Sequence, residues 1–324
     1  MAACMCADRM IELAVMRRKD QAVGIISLDL VAADGGALPR FEAGAHIDLH
    51  IAPGLIRQYS LCGDPAVADC YRLGILLEQP SRGGSIAVHR DFQVGTRVVA
   101  SLPRNHFPLV GNARFSVLIG GGIGITPLIA MAHRLAADGA DFAMHYCTRS
   151  RRNSAFVEEL QGEIFWPRVR LHHDDGSPHD MFSPARDLPA ALAGTQLYVC
   201  GPAGFIDWVI AQARARGYAD AAIHYEYFAA EADTSGGPFE VVVASSGRAI
   251  TVHEGESIAE ALAAAGVRVE VSCEAGVCGT CLTQVIEGVP DHRDVYLTDE
   301  EKRANDQIMP CCSRAKSPRL VLDL

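Results

Sequence analysis

Four cysteines in the last third of the chain constrain its fold more than any other feature. Cys273, Cys278, Cys281 and Cys311 follow the spacing C-x4-C-x2-C-x29-C. Three thiolates from one short loop and a fourth from a distant segment are typical of a plant-type [2Fe-2S] cluster, in which four sulfurs hold two irons. A structural zinc site is the alternative, although zinc sites more often show two short cysteine pairs. The spacing therefore predicts an iron–sulfur cluster near the end of the chain.

The loop that carries three of these cysteines suits such a cluster. Gly276 and Gly279 lie where its backbone must curl and turn N–H groups toward the sulfurs. Cys312 directly follows Cys311, and only one of the two can be the fourth ligand. The gap of 29 residues favours Cys311, so we interpret Cys312 as a packing residue.

Three segments with different patterns divide the chain. The first hundred residues form short strand-like runs separated by Gly, Pro and Asp turns, the pattern of an antiparallel barrel. From Phe115 onward, strands alternate with helical segments, which indicates a parallel sheet with helices on both faces. The last segment begins with a hairpin, and Ser257 and Glu260 form a capping box that opens a helix. The expected domains are 8–109, 110–229 and, after a linker over 230–237, 238–324.

A glycine-rich turn predicts a nucleotide site in the second domain. Gly120-Gly-Gly-Ile-Gly-Ile-Thr-Pro127 follows a strand and opens a helix, so a pyrophosphate can approach the backbone at the helix N-terminus. We expect Thr126 to cap this helix and Pro127 to be its first residue. Tyr198-Val-Cys-Gly-Pro202 ends a later strand, which brings Cys200 to the edge where such sheets bind ligands. The alternatives are a turn that binds nothing and a buried structural thiol.

Two motifs of the first domain point to a second phosphate site. Arg57-Gln-Tyr-Ser60 supplies a fixed charge, an aromatic face and a hydroxyl from one strand. Arg82-Gly-Gly-Ser85 follows, and its glycines and the N–H of Ser85 precede a short helical stretch, an arrangement that binds phosphate. Either motif alone is equally consistent with an ordinary strand or turn.

Composition and charge exclude several classes of protein. Apolar residues make up 49% of the 324 residues, and the net charge of −10 argues against nucleic-acid binding. The uncharged stretch from Phe115 to Ala132 contains four glycines and a proline, which favour a strand, a turn and a helix over a membrane span. No secretory signal precedes the eleven cysteines, so metal or redox use is favoured over disulfides. We therefore expect a cytoplasmic protein without membrane attachment.

The motifs RQYSL, RGGS, LIGGGIGITP, YVCGP and CEAGVCGTC, in this order, resemble those of the phthalate dioxygenase reductase family. That family belongs to the ferredoxin-NADP reductase superfamily, carries a C-terminal ferredoxin domain and includes the reductase subunits of vanillate O-demethylases. The resemblance covers nearly the whole chain. It implies a multidomain protein with an antiparallel β-barrel flavin domain, an α/β nucleotide domain with a parallel sheet, and an α+β ferredoxin domain of the β-grasp type.

The resemblance also implies cofactors and the residues that bind them. FMN is expected on the barrel rather than FAD, with NADH on the second domain and a [2Fe-2S] cluster on the third. The residues expected at the flavin are Arg57, Tyr59, Ser60, Arg82, Gly83, Gly84 and Ser85. Those expected at the dinucleotide are Gly120, Gly121, Gly122, Gly124, Thr126, Arg149, Cys200, Gly201 and Pro202. The residues expected beside the reacting rings are Ser60, Cys200, Glu226 and Phe228.

The identity of each cofactor has an alternative: NADPH instead of NADH, and FAD instead of FMN. Arg149, Arg151 and Arg152 follow the second strand of the parallel sheet, where basic side chains could recognise the 2′-phosphate of NADPH. Their ordinary interpretation is a solvated turn. No residue excludes an adenine beyond the flavin phosphate, so FAD also remains an alternative.

The expected function is electron transfer from NADH to FMN, then singly to the cluster, and then to a terminal oxygenase. By the resemblance, this partner is a Rieske-type aromatic-ring oxygenase or O-demethylase. Residues 238–324 contain 14 Asp and Glu against 8 Lys and Arg, many of the acidic ones between Glu287 and Glu301. We expect this acidic face of the ferredoxin domain to dock on the partner, and the chain to be a monomer. The alternatives are a stand-alone reductase of ferric iron or a quinone and, less favoured, a redox sensor.

Overall fold

The chain forms two compact units, Met1–Tyr227 and Phe228–Leu324. The computed structural model describes residues 10–67, 69–78, 83–228, 233–271, 274–277 and 279–324. The first unit contains an antiparallel and a parallel sheet, and the second contains the cysteine-rich segment. The antiparallel sheet ends at Ser101 and the parallel sheet begins at Phe115. The domain boundaries expected from the sequence stay a prediction.

The antiparallel sheet closes into the expected barrel. Its elements are β1 (Met10–Ala22), β2 (Ile25–Ala32), β3 (His46–Ala52), β4 (Leu55–Ser60), β5 (Tyr71–Leu76), α1 (Gly84–Asp91) and β6 (Arg97–Ser101). The strand order is β4-β3-β6-β1-β2-β5, and a bridge between Leu61 and Leu73 connects the two edge strands. Leu13, Leu28 and Ile47 are fully buried, so apolar side chains fill its interior.

The parallel sheet follows with helices between its strands. Its elements are β7 (Phe115–Gly121), α2 (Ile125–Ala137), β8 (Phe142–Thr148), α3 (Val157–Gln161), β9 (Val169–His173), α4 (Pro184–Asp187), β10 (Thr195–Gly201), α5 (Ala203–Ala215) and β11 (Ile223–Tyr227). The strand order is β11-β10-β7-β8-β9, and every pair is parallel. The uncharged stretch from Phe115 is thus a strand, a turn and a helix. Within the described ranges, no helix has the length and apolar character needed to cross a bilayer.

The start of α2 differs from the expectation. A short helical turn, Gly122–Gly124, precedes the helix, and Gly124 takes the capping position. Thr126 and Pro127 are therefore the second and third residues of α2. The Thr126 hydroxyl donates to the Ile123 carbonyl at 3.0 Å instead of capping the helix. The expected capping by Thr126 and the first position for Pro127 were wrong, because the glycines continue the helical path one turn earlier.

The barrel packs directly against the first helices of the parallel sheet. Gly74 of β5 has no side chain, and a Cβ there would lie 2.7 Å from Cγ2 of Thr126 and 2.8 Å from the ring of Phe156. At a second point, Lys19 of β1 forms ion pairs of 2.9 Å with Glu158 and Glu159. These contacts hold the barrel next to the glycine-rich turn.

The second unit contains a mixed sheet. Its elements are β12 (Phe239–Val243), β13 (Arg248–Val252), α6 (Ile258–Ala264), β14 (Thr283–Glu287), β15 (Pro290–Asp291), α7 (Asp299–Ala304), β16 (Gln307–Ile308), β17 (Arg314–Ala315) and β18 (Arg319–Leu322). The order is β13-β12-β18-β14-β16, and β15 pairs with β17. The predicted hairpin and capping box are present, with Ser257 Oγ accepting from the Glu260 N–H at 3.2 Å.

Candidate active site

Arg57 and the start of α1 form a potential phosphate site on the barrel. The Arg57 side chain lies on the backbone of Gly84, where an added Cβ would be 2.5 Å from Arg57 Cγ. Gly83 precedes the helix with a φ of +90°, and an added Cβ there would meet nothing within 4 Å. Ser85 Oγ accepts a hydrogen bond from the Glu78 N–H at 3.2 Å. A helix N-terminus beside a guanidinium fits a phosphate group. Arg82 lies outside the described residues.

Tyr59 and Ser60 follow Arg57 on β4 and pair with β3. Tyr59 lies opposite Ile47, and burial raises the pKa of its hydroxyl well above the ordinary value. Ser60 is buried and lies opposite His46. The Ser60 hydroxyl lies beside the carboxyl group of Glu226, which belongs to the last strand of the parallel sheet. The barrel meets the parallel sheet at this pair.

His46 is buried and Glu226 is half-buried at this junction. Desolvation raises the pKa of Glu226 to about 8, although the nearby Ser60 hydroxyl opposes the shift. Burial lowers the pKa of His46 to about 3, and the charges of His106 and Arg104 act in the same direction. Sequence analysis missed His46, because only the β3–β4 register places it opposite Ser60. β3 alternates polar and apolar residues, and its polar positions also include Asp48 and His50, so no local signal distinguished His46.

Three strands bring Gly120, Cys200 and Glu226 side by side. Cys200 is in register with Gly120 on one side and with Glu226 on the other. The thiol is fully buried, and burial together with the nearby Glu226 carboxyl raises its pKa well above the ordinary value. The expected dinucleotide residues therefore meet the expected flavin residues at one edge of the sheet.

The glycine-rich turn fits tightly against β10. A Cβ on Gly124 would collide with the carbonyl oxygen of Cys200 and lie 2.5 Å from the Gly201 nitrogen. A Cβ on Gly121 would be 2.7 Å from the Phe205 ring and 3.2 Å from Pro202. The turn can therefore hold its shape only with glycine at these positions.

Gly122, Arg149 and Phe228 are less closely tied to this edge. Gly122 has a φ of +56°, and an added Cβ there would meet nothing within 4 Å. Arg149 is exposed directly after β8, and its carbonyl accepts from the Asp175 N–H at 3.1 Å. Phe228 directly follows β11 and is half-buried. Their roles stay predictions.

The described cysteines of the predicted cluster lie in one apolar group. Cys281 and Cys311 are both buried and pack with Met309 and Cys312. Cys273 and Cys278 lie outside the described residues. Both residues offer sulfur donors and both are buried, which fits an iron–sulfur cluster, whose thiolates are commonly shielded from water.

Glycines of the cluster loop pack against neighbouring side chains. A Cβ on Gly276 would collide with Sγ of Cys312, and one on Gly279 would collide with the Tyr296 ring. Cys312 thus packs against the loop backbone, which agrees with its interpretation as a packing residue.

Comparisons with known proteins agree with this arrangement. Residues 241–316 match the family described as 2Fe-2S iron-sulfur cluster binding domain. The chain is 50% identical over 317 residues to the vanillate O-demethylase oxidoreductase of Pseudomonas sp. (strain HR199 / DSM 7063), covering 97% of this chain and 100% of that protein.

Two solved structures resemble the whole chain. Phthalate dioxygenase reductase, described as a modular structure for electron transfer from pyridine nucleotides to [2Fe-2S], has a TM-score of 0.77 at 38% identity and covers 98% of both chains. An intact type IV self-sufficient cytochrome P450 monooxygenase has a TM-score of 0.80 at 36% identity, over 97% of this chain and 41% of that chain.

These findings confirm the resemblance, the fold class and the enzyme class, an electron-transfer oxidoreductase with a [2Fe-2S] domain. They favour a reductase component of an oxygenase over a stand-alone reductase or a sensor. At 50% and 38% identity over nearly its full length, the chain belongs to the family of oxygenase reductases that includes vanillate O-demethylase oxidoreductase and phthalate dioxygenase reductase.

Proposed function

We propose that the chain transfers electrons from NADH to FMN, from FMN to the [2Fe-2S] cluster, and onward to a terminal oxygenase. One observation carries the first step. Ser60 of the barrel lies beside Glu226, which is in register with Cys200, and Cys200 is in register with Gly120. The flavin motif and the nucleotide turn thus meet at one place, and hydride transfer requires such close approach of two bound rings.

Each residue of the site has a proposed task. FMN, when bound, accepts a hydride and releases its two electrons one at a time. Arg57 and the N-terminus of α1 would bind its phosphate, and Tyr59 would border the ring system. Ser60 would hydrogen-bond a ring nitrogen while the protonated Glu226 carboxyl keeps its hydroxyl oriented. Cys200 would border the nicotinamide.

NADH is the proposed dinucleotide rather than NADPH. The exposed Arg149 lies beside two carboxylate-bearing residues, because the Asp174 N–H donates to the Thr148 carbonyl and the Asp175 N–H to the Arg149 carbonyl, both at 3.1 Å. Acidic groups at the end of such a strand suit a ribose diol, whereas they repel a 2′-phosphate. These aspartates therefore offset the positive charge of Arg149, Arg151 and Arg152, which was the reason to consider NADPH as an alternative.

The proposed partner, a Rieske-type aromatic oxygenase or O-demethylase, would dock on exposed carboxylates of the second unit. Glu287, Asp299 and Glu300 are exposed. Two acidic residues of the same segment do not contribute, since Asp294 is buried and Asp291 pairs with Arg293 at 2.8 Å. The acidic face is thus smaller than the sequence suggests, which suits a transient redox contact.

The composition of the purified protein and its anaerobic titration with NADH test this function. We expect one FMN, two irons and two sulfides per chain, with reduction of the flavin absorbance before that of the cluster. Ser60→Ala should slow flavin reduction, whereas Ser27→Ala, which removes another buried barrel hydroxyl, should leave it unchanged. Zinc without iron or flavin, or turnover with ferric iron but with no oxygenase, would contradict the proposal.

A further inference from the structure

Two histidines and an aspartate meet beside the edge of the parallel sheet, away from the residues assigned above. His145 belongs to β8, His172 to β9 and Asp187 to α4. They are only 2%, 5% and 6% exposed. One donor atom from each lies within 4.8 Å of the other two, and Nδ1 of His145 is 3.0 Å from Nε2 of His172. Imidazole and carboxylate are donors that zinc commonly binds.

Outer contacts already orient these donor atoms. The backbone carbonyls of Asp180 and Met181 lie beside the His172 ring. The Asp187 carboxylate accepts from the Ser183 N–H at 2.8 Å and from Arg186 at 2.8 and 2.7 Å. A metal-binding histidine usually donates its other ring N–H to a carbonyl or carboxylate, and a metal-binding carboxylate is usually hydrogen-bonded as well.

The hydrogen bonds between the three groups are incomplete. His145 and His172 bond each other, but in the described part of the chain no hydrogen bond joins Asp187 to either ring. A buried carboxylate thus faces two imidazoles without a direct bond.

We propose that His145, His172 and Asp187 bind one zinc ion that fastens α4 to the edge of the parallel sheet. Tetrahedral zinc with bonds of about 2.0–2.1 Å needs donor atoms roughly 3.3–3.4 Å apart, so the two rings would separate by a few tenths of an ångström. Each ring would then carry its hydrogen on the nitrogen that faces away from the zinc. Imidazole donors favour zinc over magnesium or calcium, which prefer oxygen ligands.

Neighbouring charges and a thiol influence the affinity of this site. Arg186, and Arg170 at 3.9 Å from Asp187, oppose a divalent ion. The loop before α4 carries three exposed acidic residues, Asp174, Asp175 and Asp180, which add negative charge to the same segment. Cys147 is in register with His172 and two residues from His145 on β8, so it shares their face of the sheet, although its sulfur is not among the donor atoms that lie within 4.8 Å of one another.

Zinc content of the complete, iron-loaded protein tests the proposal. After exposure to zinc and dialysis, we expect one zinc per chain in addition to two irons by elemental analysis. Asp187→Asn and His172→Gln should weaken zinc binding at least about tenfold in competition with a chelator. His179→Gln is the matched control, because it removes an exposed histidine of the same loop and should leave the affinity unchanged.

X-ray absorption at the zinc edge of the unmodified protein gives a second test that requires no variant. Nitrogen and oxygen neighbours at about 2.0 Å, with imidazole scattering, support the site, with or without one sulfur at about 2.3 Å. A shell of sulfur alone overturns the proposal, since zinc would then occupy the cysteine cluster. Absence of zinc after dialysis, or equal affinity in the Asp187 and His172 variants, also overturns it.

Discussion

Nδ1 of His46 lies 4.0 Å from Oε1 of Glu226, where the barrel meets the last strand of the parallel sheet. Both ring nitrogens of His46 and Oε2 of Glu226 have no hydrogen-bond partner among the residues that the structure describes. The pair is not an ion pair at neutral pH, because burial keeps the carboxyl protonated and the imidazole neutral. An acidic proton is thereby held beside Ser60.

The raised pKa of Glu226 predicts a pH-dependent stability. Its pKa is about 8 in the folded protein, against an ordinary value of 4.5. The folded state therefore keeps a proton that the unfolded chain loses, and the free energy of unfolding falls as pH rises between about pH 5 and about pH 8. Glu226→Gln, which cannot ionise, should reduce this fall. Chemical denaturation at several pH values measures the difference; parallel curves for the two proteins would contradict it.

Because Gly124 packs tightly against β10, we expect that adding one methyl group at this position severely lowers stability and NADH binding. Gly124→Ala would press a Cβ into the backbone of Cys200 and Gly201, which cannot move aside as a side chain can. We expect a loss of at least about 1–3 kcal/mol of stability and weaker NADH binding. Gly139→Asn is the control, since an added Cβ there meets nothing within 4 Å, asparagine tolerates its φ of +66°, and the residue is not assigned to the nucleotide site. Thermal unfolding and dinucleotide titration measure both; equal effects would contradict the steric explanation.

We expect the stability of the second unit to depend on one buried cation, Arg314. It is 2% exposed, donates to the carbonyls of Gly237 and His253 at 3.1 and 3.2 Å, and lies 5.0 Å above the Phe239 ring. Arg314→Met should cost about 2–4 kcal/mol of stability, because several partly buried carbonyls lose a charged donor.

The control for Arg314 is an exposed arginine of the same unit. Arg319 pairs with Glu240 at 2.9 Å on the surface, and Arg319→Met should cost less than about 1 kcal/mol. Loss of cluster absorbance during denaturation measures both variants. A similar midpoint for the two would show that Arg314 does not have the proposed structural role.

The two adjacent cysteines predict opposite spectra. Cys311→Ser should abolish the visible absorbance of the cluster, because it removes the fourth ligand at the family spacing. Cys312→Ser should keep this absorbance but lower stability, since its buried sulfur packs against Gly276. Absorbance spectra and iron analysis distinguish them. The reverse pattern would make Cys312 the ligand.

Local signals in the sequence were sufficient for much of the fold. The capping box at Ser257 depends on residues three apart, and the glycine-rich turn on residues within one loop, so both were readable from the chain. Pairings between strands that are far apart in the sequence could not be predicted from it. The position of His46 opposite Ser60 depends on the β3–β4 register, and the burial of Asp294 on its bonds to the Leu297 N–H and Ser313.

The exposed carboxylates of the second unit predict a salt-dependent reaction with the oxygenase. Glu287→Gln and Glu300→Gln should each lower the rate of electron transfer to the oxygenase at low salt by a few-fold, because they weaken attraction to a basic partner surface. The effect should disappear at high salt, where charges are screened. Stopped-flow oxidation of the reduced protein by the oxygenase measures the rates.

Glu254 supplies the matched control for this docking surface. It is exposed on the same unit but lies outside the segment from Glu287 to Glu301, so Glu254→Gln removes the same charge from another place. Its rate should equal that of the unmodified protein. If all three variants slow the reaction equally, overall charge rather than this face controls the encounter. If none does and salt has no effect, docking relies on apolar contact near the cluster, such as the exposed side chains of Leu282 and Val295.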